Sequence, residues 1–323
     1  MAERMNNLTG KEWLMNSFTI WRDVVKTSEE RATKHPALFP QELVEKLIRL
    51  YLRDPGSVVL DPFMGIGSTM LASMNQGMKG IGFDLSKDFC GIANQRIGKF
   101  QGTLTNETEI LTPDVHNKDS RTISKVLEEQ TVDLVVTSPP YWDILNQKRT
   151  ADGKIIRNYS SDTEDLGNIP DYEEFLADLK NVYTEVYKVM KPGARCIAVV
   201  MDIRKKDKFY PLHEDQSRIM REIGFELDEY VIWDRQRDYN NMKTLGYPYV
   251  YRFNRVHEFI CIYLKRKETP VKVPKVKKEA KPKKAPAKKA PAKKAPAKKA
   301  PAKKAPAKKA PAKKAPSKKS TST

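Results

Sequence analysis

Proline stands at every fifth position from Pro286 to Pro316, inside a Lys-Lys-Ala-Pro-Ala unit that begins at Lys283. The seventh copy, slightly altered, is Lys313-Lys314-Ala315-Pro316-Ser317. No helix tolerates proline at that spacing, and the unit has no large apolar side chain to bury. The segment is therefore expected to be disordered and extended, with a coil span of roughly 40 Å. It also divides the charge. Of 59 basic and 41 acidic residues in the 323-residue chain, 21 lysines and a single acid, Glu279, lie in 271–323. Residues 1–270 keep 38 basic and 40 acidic residues, a net charge of −2 against +20 for the tail. The high isoelectric point belongs to the tail. Any surface on the body that meets a polyanion must be local and patchy.

The body is long enough to bury a substantial single core. Short apolar runs at Ser57–Leu60, Gly80–Phe83, Val132–Thr137, Cys196–Met201, 228–233 and 257–264 read as strands. Helical patterns occupy 41–52, the segment after Asp61 through Ala72, 171–190 and 211–223. Strands alternating with helices predict an α/β body with a mostly parallel, doubly wound sheet. Trp13, Leu14, Phe18 and Trp21 recur at helical spacing and are expected to pack on that body. Three parts follow: an N-terminal helical extension (1–34), an α/β body (35–268) and the basic tail (269–323). Residues 143–168 and 234–256 fit no element. Both are polar and dotted with aromatics, and loops of that length are usually functional or disordered.

Two turns carry the chemistry. Asp61-Pro62-Phe63-Met64-Gly65-Ile66-Gly67-Ser68-Thr69 joins a strand to a helix, and its glycines permit close approach of a ligand to the backbone. Asp84 ends the next strand, where an acidic residue meets ribose hydroxyls in dinucleotide folds. Met70 replaces the third glycine of a nicotinamide fingerprint, and a carboxylate at Asp61 disfavours a pyrophosphate. A cationic ligand with a ribose fits better, and S-adenosyl-L-methionine has both. An ordinary strand-to-helix turn is the alternative. The second turn is Ser138-Pro139-Pro140-Tyr141-Trp142, at the end of the run 132–137. Its prolines make it rigid. A hydroxyl, a carbonyl and two aromatic faces suit a flat ring with an amino group, although a plain strand-ending turn also accounts for the residues.

Together these turns resemble the cofactor and catalytic loops of amino-directed DNA methyltransferases, which modify N4 of cytosine or N6 of adenine. The resemblance spans roughly residues 8–266. His35-Pro36-Ala37-Leu38-Phe39-Pro40 is similar to the segment before the cofactor loop, and Lys118-Asp119-Ser120-Arg121 to an acidic turn that contacts adenine. Arg252–Glu258 is similar to the lead-in to the final strand. The resemblance implies a Rossmann-like methyltransferase sheet and assigns Phe39, Asp61, Pro62, Phe63, Gly65 and Gly67 to S-adenosylmethionine. It gives Asp84 to the ribose and Asp119 to the adenine amino group. Ser138 and the Pro139 carbonyl, within the rigid Pro139-Pro140 turn, are implied to accept from the target amino group while Tyr141 stacks on a base flipped from double-stranded DNA. Serine at 138 resembles the cytosine-N4 enzymes, and aspartate is commoner in adenine enzymes. No separate target-recognition block stands out, so recognition is expected from 143–168, 234–256 or the N-terminal helix.

Carbon-5 methylation of cytosine needs a thiolate nucleophile. Cys90, Cys196 and Cys261 lie in apolar or helical contexts and read as core residues. They form no Cys-x-x-Cys, and the four histidines are dispersed, so no metal site is expected. No apolar stretch of about 18 residues exists, so no membrane span is expected. The expected setting is a reducing cytoplasm with nucleoid association, or a nucleus in a eukaryote. The tail resembles the lysine-alanine-proline tails of linker histones and bacterial histone-like proteins, which implies salt-sensitive phosphate binding. The rival whole-chain reading is an architectural protein with an inert methyltransferase fold. Oligomeric state is not legible.

Overall fold

The central strands send alternate residues to two apolar faces, so the sheet needs helices on both sides. A computed structural model describes residues 4–32, 38–101, 111–144, 165–238 and 242–267. The tail repeats, His35–Ala37 and most of 143–168 lie outside the described residues. The strands are β1 (Ile20–Trp21), β2 (Val58–Asp61), β3 (Lys79–Asp84), β4 (Asp114–Asn117), β5 (Val132–Thr137), β6 (Met190–Val200), β7 (Ile203–Lys205), β8 (Lys208–Tyr210), β9 (Glu226–Asp234) and β10 (His257–Leu264). The helices are α1 (Gly10–Asn16), α2 (Ser28–Ala32), α3 (Gln41–Tyr51), α4 (Ser68–Asn75), α5 (Lys87–Gln101), α6 (Tyr172–Val189) and α7 (Leu212–Ile223).

The main sheet has the order β1-β9-β10-β6-β5-β2-β3-β4, with β7 and β8 forming a separate hairpin. Only β10 runs against the rest, pairing antiparallel with β6 and β9. Cys196, Ala198 and Val200 of β6 join one core with α6 and α7, and Ile197 and Val199 join the other with α3. Helix α6 shows why the sequence pattern was strong. Phe175, Leu176, Leu179, Val182, Tyr183 and Val186 are buried along one stripe. Asp171 caps it, accepting from the backbone N–H groups of Glu173 (2.9 Å) and Glu174 (3.0 Å), a contribution of ~1 kcal/mol.

After β4 the chain returns to the other side of β2 and lays down β5. This reversal of strand order opens a crevice at the carboxyl ends of β2 and β5. The register Leu60↔Val135 sets the two motif turns side by side above those ends.

Several elements differ from the sequence expectation. Helix α5 was unassigned because only Cys90, Ala93 and Ile97 of its residues are buried. Strand β4 is a half-exposed edge without clean alternation. The hairpin β7–β8 is too polar to read as strands, since Lys205 through Lys208 form its turn. In the N-terminal segment Trp21 is buried and β1 pairs with β9, but Trp13, Leu14 and Phe18 are at least half exposed. Trp13 and Leu14 lie on a short helix, α1, that buries no residue, and Phe18 follows its C-cap, Ser17, so the four residues do not share one helical face.

Candidate active site

A cleft of about 810 Å³, open solvent at its mouth included, lies over the switch point. Phe39, Pro62, Phe63 and Gly65 line its cofactor-turn side. Asp84, Asp119, Ser138 and Pro140 complete the set of sequence-expected residues that meet there. Asp61, Gly67, Pro139 and Tyr141 are not part of this lining.

Asp61 has a different job from the one expected. Its carboxylate is fully buried and accepts from Thr69 Oγ1 and Thr137 Oγ1, each at 2.6 Å, and from the Phe63 N–H at 3.0 Å. It braces β2, α4 and β5 beneath the cleft and does not present itself to a ligand. Burial pushes its pKa up to about 6 against the three hydrogen bonds, which lower it. Gly67 is likewise architectural. It begins α4 at φ 83°, and a Cβ there would press on Ala93 Cβ at 3.1 Å.

Asp84 does face the cleft. Its oxygens accept from the Gly65 and Ser86 N–H groups, each at 2.8 Å, which ties the glycine turn to the end of β3. Burial pushes its pKa up to about 6, partly offset by those two bonds. Asp119 accepts from the Arg121 N–H at 2.8 Å and pairs with the Arg121 guanidinium at 2.7 Å. Carboxylate oxygens hold two lone pairs each, so acceptor capacity remains. One polar atom at the cleft lacks a partner in the protein. The hydroxyl of Ser68, in the first turn of α4, is buried without a hydrogen bond. An anionic group such as a ligand carboxylate satisfies both that hydroxyl and the helix N-terminus.

The catalytic-loop residues form a chain of hydroxyls. Ser138 Oγ lies 3.1 Å from Tyr141 Oη, which in turn donates to Glu258 Oε2 at 2.9 Å. Glu258 is buried, and its other oxygen pairs with Arg235. A phenol has one proton, and two acceptors stand ready for it, Glu258 Oε2 at 2.9 Å and the Val199 carbonyl at 3.2 Å, so the bond between Ser138 and Tyr141 is best made with Ser138 donating. Trp142 is not available for stacking. It is buried at φ 51°, packed between Tyr172 and Tyr210, and its indole donates to the Ile169 carbonyl at 2.9 Å. Asp143 pairs with Lys205 at 2.5 Å.

A family model described as DNA methylase, covering the N6 and N4 methyltransferases, matches residues 2–95 and 132–319. The chain belongs to this methylase family. Among curated relatives, the orphan methyltransferase M.BamHII of Bacillus amyloliquefaciens is 39% identical over 87 residues, 26% of this chain and 32% of the relative. The type II methyltransferase M.ScaI of Streptomyces caespitosus is 38% identical over 72 residues, 22% of this chain and 23% of the relative. The aligned stretches thus span a third or less of those relatives. A solved SAM-dependent methyltransferase from Methanosarcina mazei covers 68% of this chain and 97% of its own, with 13% identity and a TM-score of 0.44.

The methylase cleft also contains residues that sequence reading missed. Ser86 and Phe89 sit at the start of α5, which had no assignable pattern. Asp165 and Leu166 come from far along the chain, and Asp165 caps a short turn by accepting from the Gly167 N–H at 2.8 Å. Only the local Asp-x-Gly spacing hinted at that turn. All three cysteines are buried, and burial pushes Cys90 up to about 11 and Cys261 up to about 12, with Cys196 also raised. None is a thiolate at neutral pH. Among the described residues, no group of three or more His, Cys, Asp or Glu is placed to hold a metal, and no helix is long and apolar enough to cross a membrane.

Proposed function

We propose that this methylase transfers a methyl group from S-adenosyl-L-methionine to an exocyclic amino group of DNA, N4 of cytosine in preference to N6 of adenine. The observation that carries the reading is that Ser138 and Asp84 line one cleft, although 54 positions separate them in sequence. When bound, S-adenosylmethionine supplies a sulfonium methyl, and S-adenosylhomocysteine leaves with the electron pair of the broken C–S bond.

The chain's residues bind and orient. Asp84 accepts from the ribose hydroxyls and Asp119 from the adenine amino group. Phe39 and Phe63 give apolar walls, and Ser68 with the α4 N-terminus takes the methionine carboxylate. An aromatic amine is a poor nucleophile, because its lone pair is delocalised into the ring. Ser138 donates its own proton toward Tyr141, which leaves its oxygen lone pairs free to accept from that amine. The Pro139 carbonyl is the second acceptor. Two acceptors draw the nitrogen toward tetrahedral geometry and localise its lone pair for in-line attack on the methyl carbon. The displaced amino proton goes to solvent. Positioning supplies much of the remaining acceleration. The target base must leave the duplex, at a cost of a few kcal/mol that stacking on the Tyr141 ring offsets.

The preference for cytosine rests on serine at 138. The test is incubation with labelled S-adenosylmethionine and duplex DNA of varied sequence, followed by hydrolysis and mass spectrometry of the nucleosides. N4-methylcytosine is expected. N6-methyladenine keeps the mechanism and overturns the choice of base. No methyl transfer to any DNA, with DNA binding intact, overturns the catalytic reading in favour of an architectural protein.

A further inference from the structure

The body has almost no net charge, but one face beside the catalytic loop does not share that balance. Residues 203–210 and 242–256 together hold seven basic residues and one acid, Asp207. Contacts lead from the catalytic loop to this face. Lys205 pairs with Asp143, two positions past Tyr141, and lies over the Trp142 ring at 3.9 Å. Arg252 then donates to the Lys206 carbonyl at 3.0 Å and pairs with Asp207 at 2.6 Å. The Arg204 and Arg255 guanidiniums both cover the exposed Phe209 ring, at 5.5 and 5.4 Å. Burial and then the neighbouring Arg204 charge hold Arg255 below its ordinary pKa. Two arginines brought over one ring repel each other and favour an anion between them.

Beyond them stands a built turn with an aromatic crest. Leu245 and Arg252 form an antiparallel bridge, and the Gly246 carbonyl accepts from Tyr249 (2.9 Å) and Val250 (2.8 Å) N–H groups. Gly246 has φ 78°, and a Cβ there would lie 2.1 Å from the Val250 carbonyl oxygen, so the turn requires glycine. Tyr247, Tyr249, Tyr251 and Phe253 are 80%, 91%, 85% and 78% exposed. Four large rings in water on a turn with no acidic residue are costly unless they have a partner. Interleaved aromatic and basic side chains match nucleic acid, which offers base faces for stacking and phosphates for pairing.

We propose that the β7–β8 hairpin and the 245–255 turn form the body's DNA-docking surface, with Arg204 and Arg255 on a backbone phosphate and the rings of Tyr249, Tyr251 and Phe253 stacked on bases near the target. This deepens the DNA methyltransferase reading and rests on it for the choice of DNA as partner.

The test uses the full chain with S-adenosylhomocysteine and random-sequence duplexes substituted with 5-iodouracil. Ultraviolet crosslinking and mass spectrometry then locate the contact. Crosslinks at Tyr249, Tyr251 or Phe253 are expected. The Y249A/F253A variant alters only exposed rings, so the fold is retained. It should bind DNA at least about fivefold more weakly while keeping its affinity for S-adenosylmethionine. The R204A/R255A variant should lower the slope of log affinity against log salt by about 1. Crosslinks confined to 271–323, or wild-type DNA affinity in Y249A/F253A, overturn the proposal. Turn crosslinks with no methyl transfer by the wild type leave the docking surface standing and overturn the catalytic reading instead.

Discussion

On the side of Ser138 that faces β2 and β3, carboxylates are buried or half-buried, and threonine hydroxyls and backbone N–H groups hold them in place. On the side that faces β7 and β8, arginines, lysines and aromatic rings stand in solvent. The first side suits a small ligand of fixed shape, because a desolvated, pre-organised site loses little entropy when it closes on one geometry. The second suits a long polyanion, for which exposed charges and rings adjust to successive phosphates and bases. The difference separates two kinds of failure. Changes on the cofactor side should alter S-adenosylmethionine affinity and leave DNA binding alone, and changes on the DNA side should do the reverse.

The largest expected effect breaks the DNA side without touching the body. Deleting 271–323 removes 21 lysines and one glutamate. Affinity for DNA should fall on the order of a hundredfold at ~50 mM salt, and the salt dependence should flatten. Calorimetric S-adenosylmethionine affinity should stay at the full-length value. Unchanged DNA affinity would remove the tail from the binding mechanism.

The boundary between the two sides is Ser138, and its hydroxyl chain gives the next effect. Ser138→Ala removes one of two acceptors for the amino group, and kcat should drop about 10²-fold by loss of positioning. Glu258→Ala acts at one remove. It leaves the Tyr141 proton shared between the Val199 carbonyl at 3.2 Å and Ser138 Oγ at 3.1 Å, so Ser138 spends a lone pair on Tyr141 part of the time, and the loss should be at most about tenfold in kcat. Glu258 is thus a positioning residue, and its signature is a kcat effect with KM for S-adenosylmethionine unchanged. Equal losses in Ser138→Ala and in the double variant S138A/E258A would show that Glu258 acts through Ser138, whereas additive losses would break that link.

Legibility in the sequence follows the same division. The Asp61–Thr69 turn, Asp84 and the Ser138–Tyr141 turn were readable because each is a local pattern whose backbone demands glycine, proline or a carboxylate at fixed spacing. Nine of those residues line the cleft. Asp61 misled because its partner Thr137 lies 76 positions away, and spacing cannot show that its carboxylate is consumed inside the protein. Helix α5 and strand β4 were hidden by narrow or half-exposed faces. The β7–β8 hairpin was hidden by polarity, whereas the 245–255 turn falls in the 234–256 segment expected to serve recognition, with its built form not readable from the residues. Only folding brings Arg204 and Arg255 over Phe209, and no period in the sequence marks them as neighbours.

The smallest expected effect sharpens the cofactor side through pH. Burial raises the pKa of Asp84 from 3.8 to about 6, so the folded chain holds that proton more tightly than the unfolded chain. The resulting stabilisation is fully present below the unfolded value and is lost as pH rises through about 6. Asp84→Asn cannot titrate. Its stability relative to wild type should therefore improve between pH 4 and pH 7, measured by denaturant unfolding in matched buffers. S-adenosylmethionine affinity should run the other way. Ribose hydroxyls are better accepted by the ionised carboxylate, so wild-type affinity should climb between pH 5 and pH 7 by no more than about tenfold per unit. Asp61 titrates near the same pH but is present in both proteins, so its contribution cancels in the difference. The same slope in wild type and Asp84→Asn would assign the pH dependence to Asp61 and take the ribose away from Asp84. A steeper slope in wild type alone would place the titrating carboxylate on the ligand.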